Sequence, residues 1–350
     1  MKTSELLRLR LHNQQLTNVQ ARKPGEVVSS LVAMQAQEYA MSRWAIALRM
    51  SGSPRDADIE RAFNAGEILR THVLRPTWHF VAPEDIRWLL ALTAPRVHAA
   101  NAYMYRQLDL DASVFKRSNA VLVRALQGEQ YLTRSALQTV LAKAGVKASG
   151  PRLGYLMMNA ELEALICSGP REGKQFTYAL LETRVPAAKA KSRDVALAEL
   201  SHRYFASRGP ATAQDFAMWS GLTLTEARAG IESLGAEFVH ETVGRQTHVF
   251  RPANGKPRTA AGFAFLMPDY DEYGMSYKDR RALLLPALAR RKSRDITLAY
   301  NRMIVVDGQI VGSWRRGESA GIETAYLAPL SRTKLRAVTR AIKRFTAFMR

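Results

Sequence analysis

Apolar positions recur at helical spacing in segments that glycine and proline separate. In RDADIERAFNAGEILRTHV (55–73) this spacing predicts a helix, which Asp56 or Asp58 can cap. The next stretch, LRPTWHFVA (74–82), changes to the β-branched and aromatic residues of a strand. Pro83 then opens another helix, because proline suits the first helical turn. The amino-terminal part therefore mixes helices with a short pair of strands.

The middle of the chain shows a more specific order of elements. YLTRSALQTVLAKAG (131–145) predicts a helix with Thr133 as its N-cap, and GPRLGYLMMNAELEALI (150–166) predicts a second. CSGPREGKQFTYALL (167–181) follows as two short strands around a basic turn that contains glycine. Helix, turn, helix and hairpin is the order of a winged helix.

The same order recurs further along the chain. ALAELSHRYFASRGPATAQDFAMWSGL (196–222) predicts two helices around a Gly-Pro break, and TLTEARAGIESL (223–234) predicts a third with Thr223 or Thr225 as its cap. EFVHETVGRQTHVF (237–250) is again a hairpin around a glycine turn. Two similar units in sequence indicate tandem winged helices.

These patterns predict a helix-rich α+β protein of three tandem winged helix-turn-helix units. The units are expected at 1–122, 123–186 and 195–350, the last with a strand and helix extension at its carboxyl end. AAKAKSRD (187–194) is the candidate linker, since it is small, polar and basic. VVDGQIV (305–311) predicts an Asp-Gly hairpin, a strong local signal.

The net charge of the chain limits the kinds of molecule that it is expected to bind. The chain has 51 Lys and Arg against 31 Asp and Glu, for a net charge of +20. Such an excess in a folded chain favours a polyanionic partner, either nucleic acid or an anionic membrane surface. No segment combines a basic face with bulky apolar anchors, and the stacking motifs of common RNA binders are missing, so duplex DNA is the favoured partner. The alternative is that the charge serves solubility alone.

Several classes of protein and site are disfavoured. No apolar run approaches the roughly 20 residues that cross a bilayer, and MKTSELLRLR lacks the apolar region of a secretory signal. Cys167 is the single cysteine, which excludes an internal disulfide and a cysteine-based metal site. Phosphate-binding and dinucleotide-binding glycine patterns are absent, and the histidines are scattered. We expect a cytoplasmic, nucleoid-associated monomer with no metal and no cofactor.

Two neutral amides stand out in LVAMQAQEYAMSRWAIALRM (31–50), which reads as an apolar helix. In a helix, Gln35 and Gln37 would lie about 200° apart around the axis and could not face one point. They can act together only if the helix ends or distorts there. Otherwise one amide is solvated and the other is buried with its hydrogen bonds made.

Three segments carry a resemblance to a known family. They are 31–49, LRTHVLRPTWHFVAPEDIRWLLAL (69–92) and LMPDYDEYGMSYKDR (266–280). Together they resemble, in the same order and over most of the chain, the AlkZ-like (YcaQ-type) winged-helix DNA glycosylases. The resemblance implies three winged helices that form a curved basic surface on duplex DNA, and excision of alkylated purines, including those in interstrand crosslinks. It also implies that Gln35 and Gln37 are the catalytic Gln–apolar–Gln motif.

The resemblance and the spacing suggest supporting residues. Thr77 and His79 match a Thr–X–His strand that lies near the catalytic residues in the family. If Trp78 is buried, strand alternation turns His79 outward toward a phosphate or water; packing in the core is the alternative. Glu38 directly follows the motif and either activates water or pairs with Arg43 on the surface.

The chemistry is feasible without a catalytic carboxylate. A purine alkylated at N7 is already cationic, so its glycosidic bond is weak and the transition state resembles an oxocarbenium ion. An amide can position water, and its carbonyl oxygen can stabilise developing positive charge. Because an amide is a poor general base, little action on undamaged DNA is expected. We assign the water to Gln37 and the sugar or lesion to Gln35, in an open site that a bulky base can enter.

Cations on the predicted turns are candidate DNA contacts. Arg171 and Lys174 lie in GPREGKQ, and Arg245 lies in VGRQ. Wing tips commonly contact phosphates or the minor groove, although a solvated hairpin tip is equally consistent. Arg152, near the start of the second helix of its unit, is a candidate groove-facing residue.

An acidic and aromatic segment, PDYDEYGMSYKDR (268–280), lies late in the chain. The spacing of its carboxylates fits no calcium-binding loop. An ion-pair and tyrosine network that fixes the third unit to the others is the favoured reading.

The sequence thus favours a monofunctional DNA glycosylase for cationic alkylated purines. The alternative is a non-catalytic winged-helix DNA-binding protein, such as a transcriptional regulator. The two share charge and fold, but a regulator has no use for Gln35 and Gln37.

Overall fold

The computed structural model describes residues 1–252, 262–285, 302–317 and 321–350. The helices of this part, in chain order, are α1 (Thr3–Asn13), α2 (Pro24–Leu31), α3 (Tyr39–Ala47), α4 (Asp56–Ala65), α5 (Pro83–Gln107), α6 (Ala112–Ala125), α7 (Arg134–Lys143), α8 (Gly150–Leu162), α9 (Leu181–Arg184), α10 (Arg193–Arg208), α11 (Ala213–Ser220), α12 (Leu224–Glu232), α13 (Glu272–Met275) and α14 (Arg332–Phe348). The strands are β1 (Ala33–Gln35), β2 (Leu69–His72), β3 (Trp78–Val81), β4 (Leu132–Thr133), β5 (Ile166–Ser168), β6 (Thr177–Leu180), β7 (Val239–Val243), β8 (Gln246–Phe250), β9 (Ala264–Leu266), β10 (Met303–Val306), β11 (Gln309–Arg316) and β12 (Ile322–Tyr326). The predicted helix-rich α+β class is confirmed.

The chain divides into two compact units. The first unit comprises Met1–Glu60, Ala198–Trp219 and Thr223–Arg350, and the second comprises Arg61–Leu197 and Ser220–Leu222. These units group the residues differently from the ranges 1–122, 123–186 and 195–350, and the division into three winged helices stays a prediction. Among the described residues, no helix is long and apolar enough to cross a membrane.

The second unit contains the predicted middle helices and hairpin. Strands β4, β6 and β5 form an antiparallel sheet in that order, with Cys167 opposite Ala179. The side chain of Thr133 accepts a hydrogen bond from the Ala136 backbone N–H, so the predicted N-cap of α7 is confirmed. Helices α6, α7 and α8 bury a shared apolar core that includes Leu122, Leu126, Leu137, Leu141, Leu156 and Ile166.

The strand pair predicted in the amino-terminal part is present, but the prediction of a helix over 55–73 is wrong in its second half. Helix α4 ends at Ala65, and Leu69–His72 form strand β2. Strands β2 and β3 pair antiparallel, with Leu69 opposite Val81 and Thr71 opposite His79. Helix α5 begins at Pro83, as its position in the sequence predicts. The candidate linker at 187–194 is irregular only in part, since α10 begins at Arg193.

The first unit contains an antiparallel sheet in the order β12–β11–β10–β9. The Asp-Gly hairpin joins β10 to β11, with positive φ at Asp307 (53°) and Gly308 (88°), as a type I′ turn requires. Helix α14 lays its apolar face on this sheet, where the Phe345 ring lies 4.7 Å from that of Trp314. The hairpin of β7 and β8 around Gly244 is confirmed as well.

The prediction of a continuous helix over 31–50 is wrong. Helix α2 ends at Leu31, strand β1 follows, and α3 begins at Tyr39. Gln35 and Gln37 therefore lie between two helices rather than on one. The geometric objection to their acting together, which rested on helical spacing, no longer applies.

Candidate active site

The break between α2 and α3 begins with a strained residue. Val32 has φ 66° and ψ −55°, close to the rare γ-turn geometry of about +75° and −65°. A β-branched side chain seldom adopts positive φ, and such a residue costs on the order of 1–3 kcal/mol. Strain of this size persists only where the surrounding structure fixes the backbone.

A buried arginine fixes it. Arg208, at the end of α10, is fully buried and lies in the first unit with the break. Its Nη1 donates to the carbonyl of Leu31 at 2.8 Å and its Nη2 to that of Ala33 at 2.8 Å. These two carbonyls flank Val32, so one planar guanidinium holds both sides of the turn.

Gln35 is held by its backbone and has an unpaired side-chain atom. Its N–H donates to Oε1 of Glu272 at 2.9 Å. The residue is 8% exposed, and its side-chain Oε1 has no hydrogen-bond partner among the described residues. A buried acceptor without a partner costs about 1–3 kcal/mol, and in a native structure it calls for an explanation. A donor on a bound molecule or a water would satisfy it.

Gln37 and Glu38 lie beyond the end of β1 and are both exposed. Glu38 is the residue that precedes α3, and its side chain forms no capping hydrogen bond. Arg43 does not pair with it, because the guanidinium binds Asp56 at 2.9 Å and Glu60 at 3.2 Å. A water could therefore reach either Gln37 or Glu38 from solvent.

Thr77 and His79 belong to the second unit. His79 is fully buried, and its Nδ1–H donates to the Thr77 carbonyl at 2.9 Å. Of the two alternatives for His79, packing in the core is the one observed, and the condition for an outward His79 is not met because Trp78 is only half-buried. The Trp78 ring lies 4.4 Å from that of His72, and the Arg70 guanidinium lies 4.3 Å above it. A supporting role for Thr77 or His79 stays a prediction.

Arg152 is engaged within the second unit. It donates to the carbonyls of Lys147 at 2.9 Å and Asp109 at 3.0 Å, and also to that of Leu108. These bonds join the start of α8 to the connection between α5 and α6. Its assignment as a groove-facing residue stays a prediction, but the structure gives it a packing role.

The wing-tip cations differ in their surroundings. Arg171 is half-buried over the Phe176 ring at 4.6 Å, and its Nη2 donates to the Gly173 carbonyl. Lys174, in the same turn, is exposed, and Arg245 is exposed at the turn of the β7–β8 hairpin. Lys174 and Arg245 thus offer cations to solvent on short turns.

The acidic and aromatic segment forms the ion-pair and tyrosine network that its composition indicates. Asp271 pairs with Arg49 at 2.8 Å, and Glu272 pairs with Arg208 at 2.7 Å, with all four side chains buried. The hydroxyl of Tyr277 donates to the Arg208 carbonyl at 2.9 Å. Neither arginine was identified from the sequence, although the excess of carboxylates over cations in 268–280 was a signal for cationic partners elsewhere in the chain.

Burial also sets the ionisation of this network. It raises the pKa of the Tyr277 hydroxyl to about 12, so the group stays a neutral donor at physiological pH. Among the described residues, no three histidine, cysteine or acidic side chains are grouped so as to hold a metal ion.

Comparison with known proteins decides the family. The family model described as DNA glycosylase AlkZ-like matches residues 28–348. The chain belongs to the AlkZ-like DNA glycosylase family. The predicted resemblance is thereby confirmed.

A named relative and a solved structure are also similar to this chain. A Streptomyces sahachiroi protein named interstrand DNA cross-link repair glycosylase is 26% identical over 312 residues, which cover 83% of this chain and 81% of the relative. The structure of the Streptomyces sahachiroi DNA glycosylase AlkZ superposes with a TM-score of 0.82 at 20% identity, over 99% of this chain and 96% of that one. The AlkZ-like fold therefore extends over nearly the whole chain.

Proposed function

We propose that this protein is a monofunctional DNA glycosylase that releases cationic alkylated purines from duplex DNA by hydrolysis. The observation that carries the proposal is the placement of the glutamine pair. Gln35 has a buried carbonyl oxygen without a partner among the described residues, and Gln37, two residues on, is open to solvent. An enzyme of this family that lacks a catalytic carboxylate in its motif can use two such amides for different tasks.

The division of work follows from exposure. Gln37 orients the attacking water, because solvent reaches it. The Gln35 carbonyl oxygen carries partial negative charge and stabilises the positive charge that develops on the sugar. Because this oxygen is buried, the electrostatic interaction is stronger than it would be in water. Neither amide has to donate a proton to the leaving group, since a cationic alkylated purine becomes neutral when the C1′–N9 bond breaks. Water forms the new C1′–O bond, and its surplus proton passes to solvent, so neither amide has to act as a strong base.

DNA binding relies on charge and on the repeated helix and hairpin units. The order α6, β4, α7, α8, β5, β6 fits a winged helix, and the elements α10 to β8 fit a second. We assign phosphate contacts to Lys174 and Arg245 at the two hairpin turns, within a basic surface supplied by the +20 net charge. A monomer is sufficient, because several units in one chain replace the two halves of a dimer.

The substrate range includes interstrand crosslinks. The Streptomyces sahachiroi relative is named for interstrand cross-link repair, and it aligns over most of both chains. A base tied to the opposite strand cannot swing into a closed pocket, so such a substrate needs water and the lesion to meet at an open site. The exposure of Gln37 fits this requirement.

The test is a strand-break assay on defined duplexes. Purified protein is incubated with a duplex that carries one 7-methylguanine, and hot alkali then converts each abasic site to a break. We expect breaks at the lesion, none in the same duplex with guanine, and none without alkali, because a hydrolytic enzyme leaves the backbone intact. Tight binding to both duplexes without excision of 7-methylguanine or of a crosslinked purine would instead support the DNA-binding regulator.

A further inference from the structure

One carboxylate in the first unit accepts hydrogen bonds from three elements, β1, α10 and α11. Oε1 of Glu272 accepts the backbone N–H of Gln35 at 2.9 Å. Oε2 accepts from Nη2 of Arg208 at 2.7 Å and from Nε1 of Trp219 at 2.9 Å. Glu272 is 1% exposed, so these bonds lie in a dry environment where each is strong.

We propose that Glu272 and Arg208 are positioning residues for the glutamine pair. Glu272 anchors the backbone of Gln35 directly, and it orients the guanidinium that holds the carbonyls on both sides of Val32. Together they fix the backbone from Leu31 to Gln35 at three points. The inference rests on the proposed glycosylase function, which it extends by naming what fixes the backbone that carries Gln35 and leads into Gln37.

The Arg208 hydrogen bonds lie on either side of the strained residue Val32, which links them to the conformation of this segment in particular. Removing the Arg208 contacts would leave the strained Val32 without the two hydrogen bonds that hold the carbonyls on either side of it, and we expect the segment to relax. This relaxation would also weaken the hydrogen bond between the Gln35 backbone N–H and Glu272. Displacement of a reacting group by about 1 Å can lower a rate on the order of 10²-fold, so modest relaxation suffices to impair catalysis.

A neighbouring ion pair provides a matched control. Asp271 directly precedes Glu272, is equally buried, and pairs with Arg49 through two bonds of 2.8 and 2.9 Å. Arg49 otherwise donates to Gln14 and to the Ala45 carbonyl, and no bond of this pair reaches residues 31–37 in the described structure. The Asp271 side chain also accepts the Tyr273 N–H and so caps α13, the helix that begins at Glu272. Asp271→Asn removes the charge and keeps an oxygen for this cap, so it tests the loss of a buried pair without removing a bond to the glutamine segment.

The experiment compares wild type, Glu272→Gln and Asp271→Asn by two methods. Hydrogen exchange followed by mass spectrometry reports the backbone of residues 31–37. Excision of 7-methylguanine is measured under single-turnover conditions with enzyme above its Kd, beside the Kd for the duplex and the melting temperature.

We expect both substitutions to lower the melting temperature, because each leaves a buried arginine unpaired. Only Glu272→Gln should speed exchange over 31–37 and lower the excision rate by about tenfold or more, with a Kd within about threefold of wild type. Equal exchange over 31–37 in the two variants, or a wild-type excision rate in Glu272→Gln, would overturn the assignment. If wild type itself excises nothing, the glycosylase proposal fails, while exchange still decides whether Glu272 holds the segment.

A milder substitution covers the case in which Glu272→Gln does not fold. Trp219→Phe removes a single donor to Oε2 of Glu272 and keeps an aromatic ring in the core. We expect faster exchange at 31–37 and a reduced excision rate in the same direction as for Glu272→Gln. Unchanged exchange and rate in this variant would count against the proposal.

Discussion

Individual side chains far apart in sequence shape the break that carries Gln35 and Gln37. Arg208 lies in α10, yet its guanidinium holds the carbonyls of Leu31 and Ala33. A buried ion pair such as Arg208–Glu272 adds little net stability over apolar residues of similar size, because desolvation offsets the attraction. The contribution of this pair is therefore the specific conformation that it imposes on the segment.

The sequence identified the two glutamines but not their conformation. The apolar run 31–50 is compatible with a helix at every position, and positive φ at Val32 is unfavourable for a valine. The cause of the break is tertiary, since Arg208 and Glu272 supply it. His79 shows the same effect, because period-two alternation cannot tell which face of β3 is covered.

Cys167 gives a prediction for a single side chain. It is fully buried on β5, and burial raises the pKa of its thiol to about 12. Only about 10⁻⁴ of the thiol is ionised at pH 8, and the thiolate is the reactive form. We expect the native protein to resist a thiol-specific reagent at pH 8 and the denatured protein to react with about one equivalent. Rapid modification of the native protein would show that β5 is accessible.

Helices and strands that depend on local signals were predicted correctly. The Thr133 cap, the start of α5 at Pro83 and the Asp307–Gly308 turn each follow from residues adjacent in sequence. Arg152 is different: it lies near the start of a helix, but three backbone carbonyls from other segments take up its guanidinium. Local sequence predicts an element better than it predicts what each side chain contacts.

Two turn glycines give a prediction for the hairpins. Gly308 and Gly244 both have positive φ, at 88° and 64°. A Cβ on Gly308 would lie 2.9 Å from Cβ of Leu7 and 3.2 Å from the Tyr273 hydroxyl, whereas a Cβ on Gly244 meets nothing within 4 Å. We expect Gly308→Ala to lower the free energy of unfolding by about 2–4 kcal/mol and Gly244→Ala by about 1 kcal/mol. Denaturant unfolding measures both, and equal losses would show that the turn conformation alone sets the cost.

The complete chain joins regions that the linear pattern places in different units. Met1–Glu60 belongs to the same compact unit as Thr223–Arg350, and the Arg49–Asp271 and Arg208–Glu272 pairs lie within it. Units predicted from the sequence are continuous ranges, because they are recognised by a repeated order of helices and strands. They cannot show that a distant segment of the chain packs into the same unit. The excess of carboxylates in 268–280 indicated that these side chains have cationic partners, but it did not indicate that the partners are Arg49 and Arg208.

The central claim is that charge holds the duplex while two neutral amides release the base. The most direct test measures the single-turnover excision rate of 7-methylguanine and the Kd for the duplex in four proteins. They are wild type, Gln37→Ala, a double variant with Lys174→Ala and Arg245→Ala, and a control. Gln127→Ala, at an exposed glutamine outside the site, is the control.

We predict that Gln37→Ala lowers the rate by about 10²-fold with Kd almost unchanged. The double variant should instead raise the Kd for the duplex. Its plot of log Kd against log salt concentration should be shallower by an amount that corresponds to up to two lost phosphate contacts, and its excision rate at saturating enzyme should equal that of wild type. The control should match wild type in both quantities. Excision by Gln37→Ala at the wild-type rate would contradict the account.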